Sequence, residues 1–124
     1  MSEYTASVYY NDEKDEHGRH VAWCDGYEHG HQMHFVTTFT VEAEDVHHAA
    51  EVVWRQMNRV DGNEYISTAN IEDRSMCVGD VVCIVNEHGT SWVAADSIGF
   101  KDISAIDIEK ASIPITRTVY KADA

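Results

Sequence analysis

A segment rich in potential metal ligands, HGRHVAWCDGYEHGHQMH, spans positions 17–34 and contains five histidines and one cysteine. Imidazole and thiolate groups bind zinc, nickel or copper. His29 and His31 are placed to flank a turn, and His34 falls on the exposed face of the strand that follows. No His-Glu-x-x-His or Cys-x-x-Cys spacing accompanies them. Two interpretations stay open: a solvent-exposed hairpin rich in histidine, or a divalent transition-metal site at His29, His31 and His34.

Serine, histidine and aspartate also occur, as a nucleophilic triad would require. However, the sequence has no Gly-x-Ser-x-Gly nucleophile elbow and no glycine-rich phosphate loop. Among 22 acidic residues some pair lies close in any fold, so proximity of two carboxylates carries little information. A chain of 124 residues also leaves little room for a pocket once its core is built. We therefore expect a protein that is not an enzyme and that needs no cofactor.

The length and composition predict one globular domain over residues 1–124. Hydrophobic residues make up 44% of the chain, and proline occurs once. The sequence has no apolar run of about 18 residues and no signal-peptide pattern at its start, so we expect a cytoplasmic protein without membrane contact. Three cysteines, Cys24, Cys77 and Cys83, are an odd number without metal-like spacing, which favours a reducing compartment.

The charge balance leads us to expect no direct binding of nucleic acid. The chain carries 22 Asp and Glu against 9 Lys and Arg, a net charge of −13, whereas phosphate recognition needs a basic surface. The acidity suits either a surface kept soluble by like charge or a face directed at a basic partner, such as a protein that normally holds DNA. The carboxylates are spread along the chain. The residues that we assign to a partner surface are Asp12, Glu13, Asp15, Glu16, Glu42, Glu44, Asp45, Glu72, Asp73 and Arg74.

Hydrophobic periodicity predicts three strands in the first 43 residues. YTASVYY is rich in residues favoured in strands, and RHVAWC is expected to be a second strand that turns at Asp25-Gly26. QMHFVTTFTVEA alternates clearly. Strict alternation places Met33, Phe35, Phe39 and Val41 on one face, opposite His34, Val36, Thr38 and Thr40.

One amphipathic helix is predicted over about residues 45–59. Its apolar positions form a single stripe that must face the sheet, and Asp45 or Glu44 can cap its first turn. The stripe consists of Val46, Ala49, Ala50, Val53, Trp54 and Met57.

The second half predicts a β-hairpin and a last edge strand. Val81, Val82, Ile84 and Val85 form an apolar run typical of a strand covered on both faces, and Gly89 suits the turn into the partner strand SWVAADSIGF. ITRTVY, just after Pro114, is predicted at an edge. The sequence therefore predicts an α+β fold, a mainly antiparallel sheet of five or six strands with one principal helix on one face.

A compact signature lies within residues 74–100. Ser75-Met76 is followed by Val78-Gly79-Asp80-Val81-Val82 and later by Asp96-Ser97-Ile98-Gly99-Phe100. This pattern resembles the YodL-like family of small proteins and related proteins carried by phages and other mobile elements. Cys77 stands where serine is usual, and Ile98 stands where an aromatic residue is common. The residues suit structural roles, since Asp80 can accept amide hydrogen bonds from a tight turn at Gly79.

The resemblance implies a setting among phage, prophage or plasmid accessory genes, and it specifies no reaction. We therefore expect a small acidic protein that binds a host protein, in the sharpest version an inhibitor of a nucleic-acid-handling or defence factor. Exposed aromatic residues would anchor that partner, with Tyr9, Tyr10, Tyr27 and Trp92 as candidates. Two alternatives are a His-rich metal-binding module and a homo-oligomeric structural phage protein joined at the sheet edge.

Overall fold

The computed structural model describes residues 1–58 and 74–107. These residues form five strands and two helices, an α+β fold as predicted. None of the helices in these two ranges is long and apolar enough to span a membrane. The elements are β1 (Ser2–Asn11), α1 (Ala22–Asp25), β2 (Met33–Ala43), α2 (Val46–Met57), β3 (Val81–Asn86), β4 (Gly89–Ala95) and β5 (Phe100–Ile103).

The five strands form one antiparallel sheet in the order β2-β1-β3-β4-β5. The first strand therefore lies inside the sheet, with β2 on one side and β3 on the other. The predicted strand ITRTVY lies outside the described residues.

Helix α2 packs across one face of the sheet, as its apolar stripe predicts. Ala49, Ala50, Val53 and Met57 are fully buried, and Asp45 caps the first turn by accepting the backbone N–H of His48 at 2.8 Å. Apolar side chains of β1, β2, β3 and β4 complete this helix-side cluster. The predicted boundaries were 45 and 59, and the helix occupies Val46–Met57, between Asp45 and the cap residue Asn58.

A β-bulge divides β2 between the two faces of the sheet. Val8 pairs with Thr37 and Tyr9 pairs with Phe35, so Val36 is an extra residue in β2. Phe39 and Val41 consequently face α2, whereas Met33 and Phe35 belong to a second cluster on the opposite face. The prediction that all four share one face is wrong, because one inserted residue reverses a period of two.

The second cluster covers the face of the sheet away from α2. Tyr27 and Ile106 contribute side chains from segments outside the strands. The buried members of the second cluster are Tyr9, Tyr27, Met33, Phe35, Val81, Cys83, Ala94 and Ile106, with Trp92 and Ile103 packed against them. The central strands are therefore buried on both faces, as the apolar run of β3 predicts, although Val85 is exposed.

Strands β3 and β4 form the predicted hairpin, in which Asn86 pairs with Gly89 around a two-residue turn. The partner strand ends earlier than predicted, at Ala95. A tight turn then closes with the N–H of Asp96 donating to the carbonyl of Gly99 at 2.9 Å, and the chain returns as β5.

The segment RHVAWC is not a strand, contrary to the prediction. Residues 22–25 form the single helical turn α1, and Gly26, with φ of 83°, ends it instead of making a hairpin turn. The extended pairing within residues 12–21 is one bridge between Lys14 and His20. Ala22 is buried against Gly79, so a contact from the distant 74–80 segment fixes the local conformation.

Candidate functional site

Arg74 and Asp80 form a buried ion pair beside the start of β3. Nη1 of Arg74 donates to Oδ2 of Asp80 at 2.7 Å, and Nη2 donates to Oδ1 at 2.8 Å. The guanidinium lies 4.2 Å from the centre of the Tyr10 ring and 5.7 Å from that of Trp23. Arg74, predicted to contact a partner, is thus engaged within the protein.

Asp80 also organises the backbone around it. Its carboxylate accepts the N–H of Asn11 at 2.8 Å and that of Cys77 at 2.7 Å. The bond from Cys77 is of the kind predicted for Asp80, an amide hydrogen bond from the turn at Gly79. Burial raises the pKa of Asp80, and the hydrogen bonds from Arg74, Asn11 and Cys77 oppose that rise. For Arg74, burial favours a lower pKa, but the hydrogen bonds and charge of Asp80 outweigh it and raise that pKa. The pair joins the 74–80 segment to the end of β1.

Gly79 is required by this arrangement. Its φ is 93°, and a Cβ atom on it would collide with the Cβ of Ala22. The N–H of Gly79 donates to the carbonyl of Ala95, and its own carbonyl accepts Nδ2 of Asn11 at 3.2 Å. The signature residues Gly79 and Asp80 therefore have architectural roles.

The three predicted metal ligands lie in one loop and the strand after it, but they have different surroundings. His29 is exposed, and Nδ1 of His31 lies near Asn11 and Glu28. His34 is half-buried, not on an open face as predicted, and its Nδ1 lies 2.7 Å from Oδ2 of Asp12. Within residues 1–58 and 74–107, no group of three or more His, Cys, Asp or Glu side chains is placed to hold a metal ion.

The acidic residues at the end of β1 mostly hold their own loop. Asp12 contacts His34, and Glu13 accepts the N–H of Gln32 at 2.9 Å. Asp15 accepts the N–H groups of His17 and Arg19 and also pairs with the Arg19 side chain. These contacts lower the pKa of Asp15, the N–H of Arg19 most strongly. Glu16 is largely exposed, and its Oε1 lies 3.4 Å from Nε2 of His17.

The other predicted acidic residues lie elsewhere. Glu42 pairs across strands with Glu3, on the face away from α2. Glu44 and Asp45 lie at the start of α2, roughly 30 Å along the β1–β2 ladder from Asp12. Glu72 and Asp73 lie outside the described residues. The structure therefore does not bring the predicted acidic set together as one surface.

A cleft of about 650 Å³ lies between α2 and the turn that joins β4 to β5. We call it the acidic cleft. The described residues that line it include three carboxylates and no Lys or Arg. They are Asp45, His47, His48, Glu51, Trp54, Asp96, Ser97, Gly99 and Phe100.

The aromatic rings of Trp54 and Phe100 meet at the acidic cleft. Their centres are 6.2 Å apart, with an angle of 82° between the planes, and both side chains are half-buried. At its rim, Nε2 of His47 lies 2.9 Å from Oδ1 of Asp102 and links α2 to β5. The acidic cleft thus combines acceptor-only groups with apolar aromatic surface.

The expected exposed aromatic anchors are mostly buried. Tyr9, Tyr10 and Tyr27 are 7%, 0% and 6% exposed, and Trp92 is half-buried in the second cluster. The prediction was wrong because both faces of the sheet are covered. Trp23, which the sequence analysis did not select, is instead 44% exposed and stacks on His20 at 4.1 Å.

Among the predicted partner residues within 1–58 and 74–107, only Asp45 lines the acidic cleft, with Glu44 beside it in the chain. Glu51, Trp54, Asp96 and Phe100 were not predicted as site residues. Of these four, Glu51 had a signal in the sequence, since it lies on the predicted helix but off the apolar stripe and is therefore expected on the surface.

Comparisons with protein-family models, with curated proteins and with solved structures found no match to the chain. The resemblance to the YodL-like family therefore stays a prediction.

Proposed function

We propose that the protein is a non-catalytic binding protein whose acidic cleft holds a basic segment of a partner protein. The observation that carries the proposal is the juxtaposition, in one cleft, of carboxylates from two separate elements with the Trp54 and Phe100 rings. The net charge of −13 favours a basic partner over an acidic one.

The electrostatics of the acidic cleft suit a cationic group. Glu51 on α2 and Asp96 on the opposing turn form no ion pair with a described residue. Asp45 and Asp96 each use Oδ1 to accept a backbone N–H, that of His48 and that of Ser97 respectively. The carboxylate of Glu51 and the Oδ2 atoms of Asp45 and Asp96 therefore stay available to a ligand. A guanidinium or ammonium group between them would gain charge-assisted hydrogen bonds.

The aromatic surface suits the rest of a lysine or arginine side chain. The aliphatic part of such a side chain covers apolar surface while its charged end stays at a polar rim. A cation near the face of a tryptophan is also attracted by the ring. A volume of about 650 Å³ is large enough for more than one side chain.

In the setting that the resemblance implies, a phage or mobile element would encode this protein, and the partner would be a protein of the host. The protein would act by occupying the basic groove of a nucleic-acid-handling or defence factor. Such an association would be fast and weakened by salt, because it depends on charges at an exposed surface.

The test compares three forms of the protein. Glu51→Gln with Asp96→Asn removes two charges from the acidic cleft, and Glu3→Gln with Glu42→Gln removes two from the opposite face of the sheet. Calorimetry with an arginine-rich peptide should show binding that the cleft variant weakens about tenfold and the control variant leaves nearly unchanged.

The same three forms are then used to capture proteins from host lysate at low and at raised salt. The proposal expects a basic protein that the wild type and the control retain at low salt, that raised salt releases and that the cleft variant does not retain. Equal capture by all three forms, or no capture together with no peptide binding, would contradict it.

A further inference from the structure

The turn between β4 and β5 presents an apolar side chain at the rim of the acidic cleft. Ile98 lies in this turn and is 91% exposed, the largest fraction for a large hydrophobic residue within 1–58 and 74–107. Its chain neighbours Ser97 and Gly99 both line the acidic cleft, whereas Ile98 is not among the lining residues. The isoleucine therefore stands just outside the cleft, beside its opening.

A single exposed apolar residue is ordinary on a protein surface, so its position decides whether it matters. Three other large hydrophobic side chains of the described residues are exposed, and they lie elsewhere. Met1 precedes β1, Trp23 belongs to α1, and Val85 lies on the face of the sheet away from α2. Of these four residues, Ile98 is the one flanked in the chain by residues of the acidic cleft.

Hydrogen bonds hold the turn that carries Ile98 in one shape. The N–H of Asp96 donates to the carbonyl of Gly99 at 2.9 Å, and the N–H of Ser97 donates to Oδ1 of Asp96 at 2.9 Å. The turn joins two strands that pair with each other. The isoleucine side chain is also restricted at χ1, because it is branched at Cβ. Burying it in an interface would therefore cost little conformational entropy.

Gly99 leaves the backbone beside Ile98 open to close approach. Apart from its chain neighbours, no atom lies within 4 Å of the position that a Cβ on Gly99 would take. Since Gly99 has no side chain, the main chain of a partner can lie against the turn at this point. Because Gly99 also lines the acidic cleft, a partner in the cleft meets this open backbone.

The position of Ile98 distinguishes between kinds of ligand. A small cation that fills the acidic cleft would leave the isoleucine in water, because Ile98 lies outside the lining. A polypeptide extends beyond the cleft and can cover Ile98 with apolar side chains of its own. Removal of that apolar surface from water would add to the affinity.

We propose that Ile98 is a second anchor of the partner interface, and that the acidic cleft binds a polypeptide segment in which apolar side chains adjoin an arginine or lysine. The basic side chain enters the acidic cleft, and the apolar neighbour packs on Ile98. This inference rests on the proposed function and narrows it, because a purely basic segment or a small polyamine uses only the cleft.

The first test measures, by calorimetry, the binding of two peptides of equal length and equal charge. One contains only arginine and serine, and in the other leucine replaces the serines next to the arginines. We expect the wild-type protein to bind the leucine-containing peptide at least about fivefold more tightly. Equal affinities for the two peptides would overturn the inference.

The second test repeats these measurements on variants of Ile98. Ile98→Ser removes an exposed side chain, so the variant should fold as the wild type does. It should bind the leucine-containing peptide about fivefold more weakly and the serine peptide with nearly unchanged affinity. Ile98→Leu keeps the apolar surface and should bind both peptides as the wild type does.

Val85→Ser is the matched control, since it removes an exposed apolar side chain from the opposite face of the sheet. It should change neither affinity. Equal weakening of both peptides by Ile98→Ser would refute the second anchor. So would equal weakening of the leucine-containing peptide by Ile98→Ser and Val85→Ser.

The inference and the proposed function fail in different ways. If Glu51→Gln with Asp96→Asn weakens both peptides and Ile98→Ser weakens neither, the acidic cleft stays the binding site and the role of Ile98 is overturned. If the wild type binds neither peptide, the proposed function is contradicted, and the second anchor with it.

Discussion

Arg74 and Asp80 are joined by two parallel hydrogen bonds, although Asp80 is completely buried and a quarter of the Arg74 side chain is exposed. We predict that Asp80→Ala lowers the free energy of unfolding by about 3–5 kcal/mol, because it leaves the guanidinium and two backbone N–H groups without their acceptor. Urea denaturation measures the loss. Asp15→Ala also removes an ion pair, with Arg19, and the acceptor of two backbone N–H groups, but these groups are exposed and water can replace the carboxylate, so the loss should be much smaller. Equal losses would contradict the structural role of Asp80.

Gly79 and Gly18 provide a matched pair for backbone strain. Both have positive φ, 93° and 79°, but a Cβ on Gly79 meets Ala22 whereas nothing lies within 4 Å of one on Gly18. We expect Gly79→Ala to destabilise the protein by on the order of 3 kcal/mol or more, and Gly18→Ala by about 1–2 kcal/mol. Thermal unfolding of both variants tests this, and a Gly79→Ala protein as stable as Gly18→Ala would show that Ala22 does not constrain the turn.

The three cysteines should react at different rates. Cys24 is exposed, whereas burial raises the pKa of the Cys77 and Cys83 thiols and so reduces their thiolate fraction. At about pH 8 we expect iodoacetamide to modify Cys24 at least about tenfold faster than Cys83. Mass spectrometry of peptides at timed intervals gives the rates. Rapid modification of Cys83 in the native protein would be inconsistent with its position in the second cluster.

Two buried tyrosines predict a loss of stability at alkaline pH. Burial raises the pKa of Tyr9, with a further rise from the nearby Cys83 charge, and burial raises that of Tyr27. The folded protein therefore keeps these phenols neutral above about pH 10, where they ionise in the unfolded chain. This contribution to stability is present below about pH 10 and is lost as the pH rises through the folded-state values.

Ultraviolet titration of phenolate follows these groups directly. Tyr9→Phe and Tyr27→Phe should each remove a late-titrating component and flatten the alkaline decline in stability. If all tyrosines titrate together at the ordinary value in the folded protein, the burial of Tyr9 and Tyr27 by the second cluster is contradicted.

Local pattern was sufficient for much of the fold. The stripe of α2 and the existence of strands β1 and β2 follow from a repeating side-chain direction, so they can be found without tertiary information. The bulge at Val36, which divides β2 between the two faces, left no such signal. The four-residue helix α1 has only one turn and hence no period to detect. Its Ala22 is placed by Gly79, more than fifty positions away.

The residues of the acidic cleft were less predictable, because tertiary contacts bring them together and local pattern does not reveal such contacts. Asp45 was predicted as a partner residue because an acidic residue that caps a helix looks the same in the sequence as one on an open surface. Asp96 and Phe100 become part of the acidic cleft only because the β4–β5 turn lies beside α2. The burial of Tyr9 and Tyr10 similarly depends on layers over both faces of β1, which the composition of β1 alone does not reveal.

The strand order also determines when the protein can fold. β1 pairs with β3, and the N–H of Asn11 bonds to Asp80 across 69 positions of sequence. Such non-local pairing slows folding, because a long loop must close before the contact forms. During synthesis, a nascent chain that stops before Val81 leaves one edge of β1 unpaired and open to other strands. Although β1 can pair with β2 within the first 43 residues, its second edge is completed only when β3 has been synthesised.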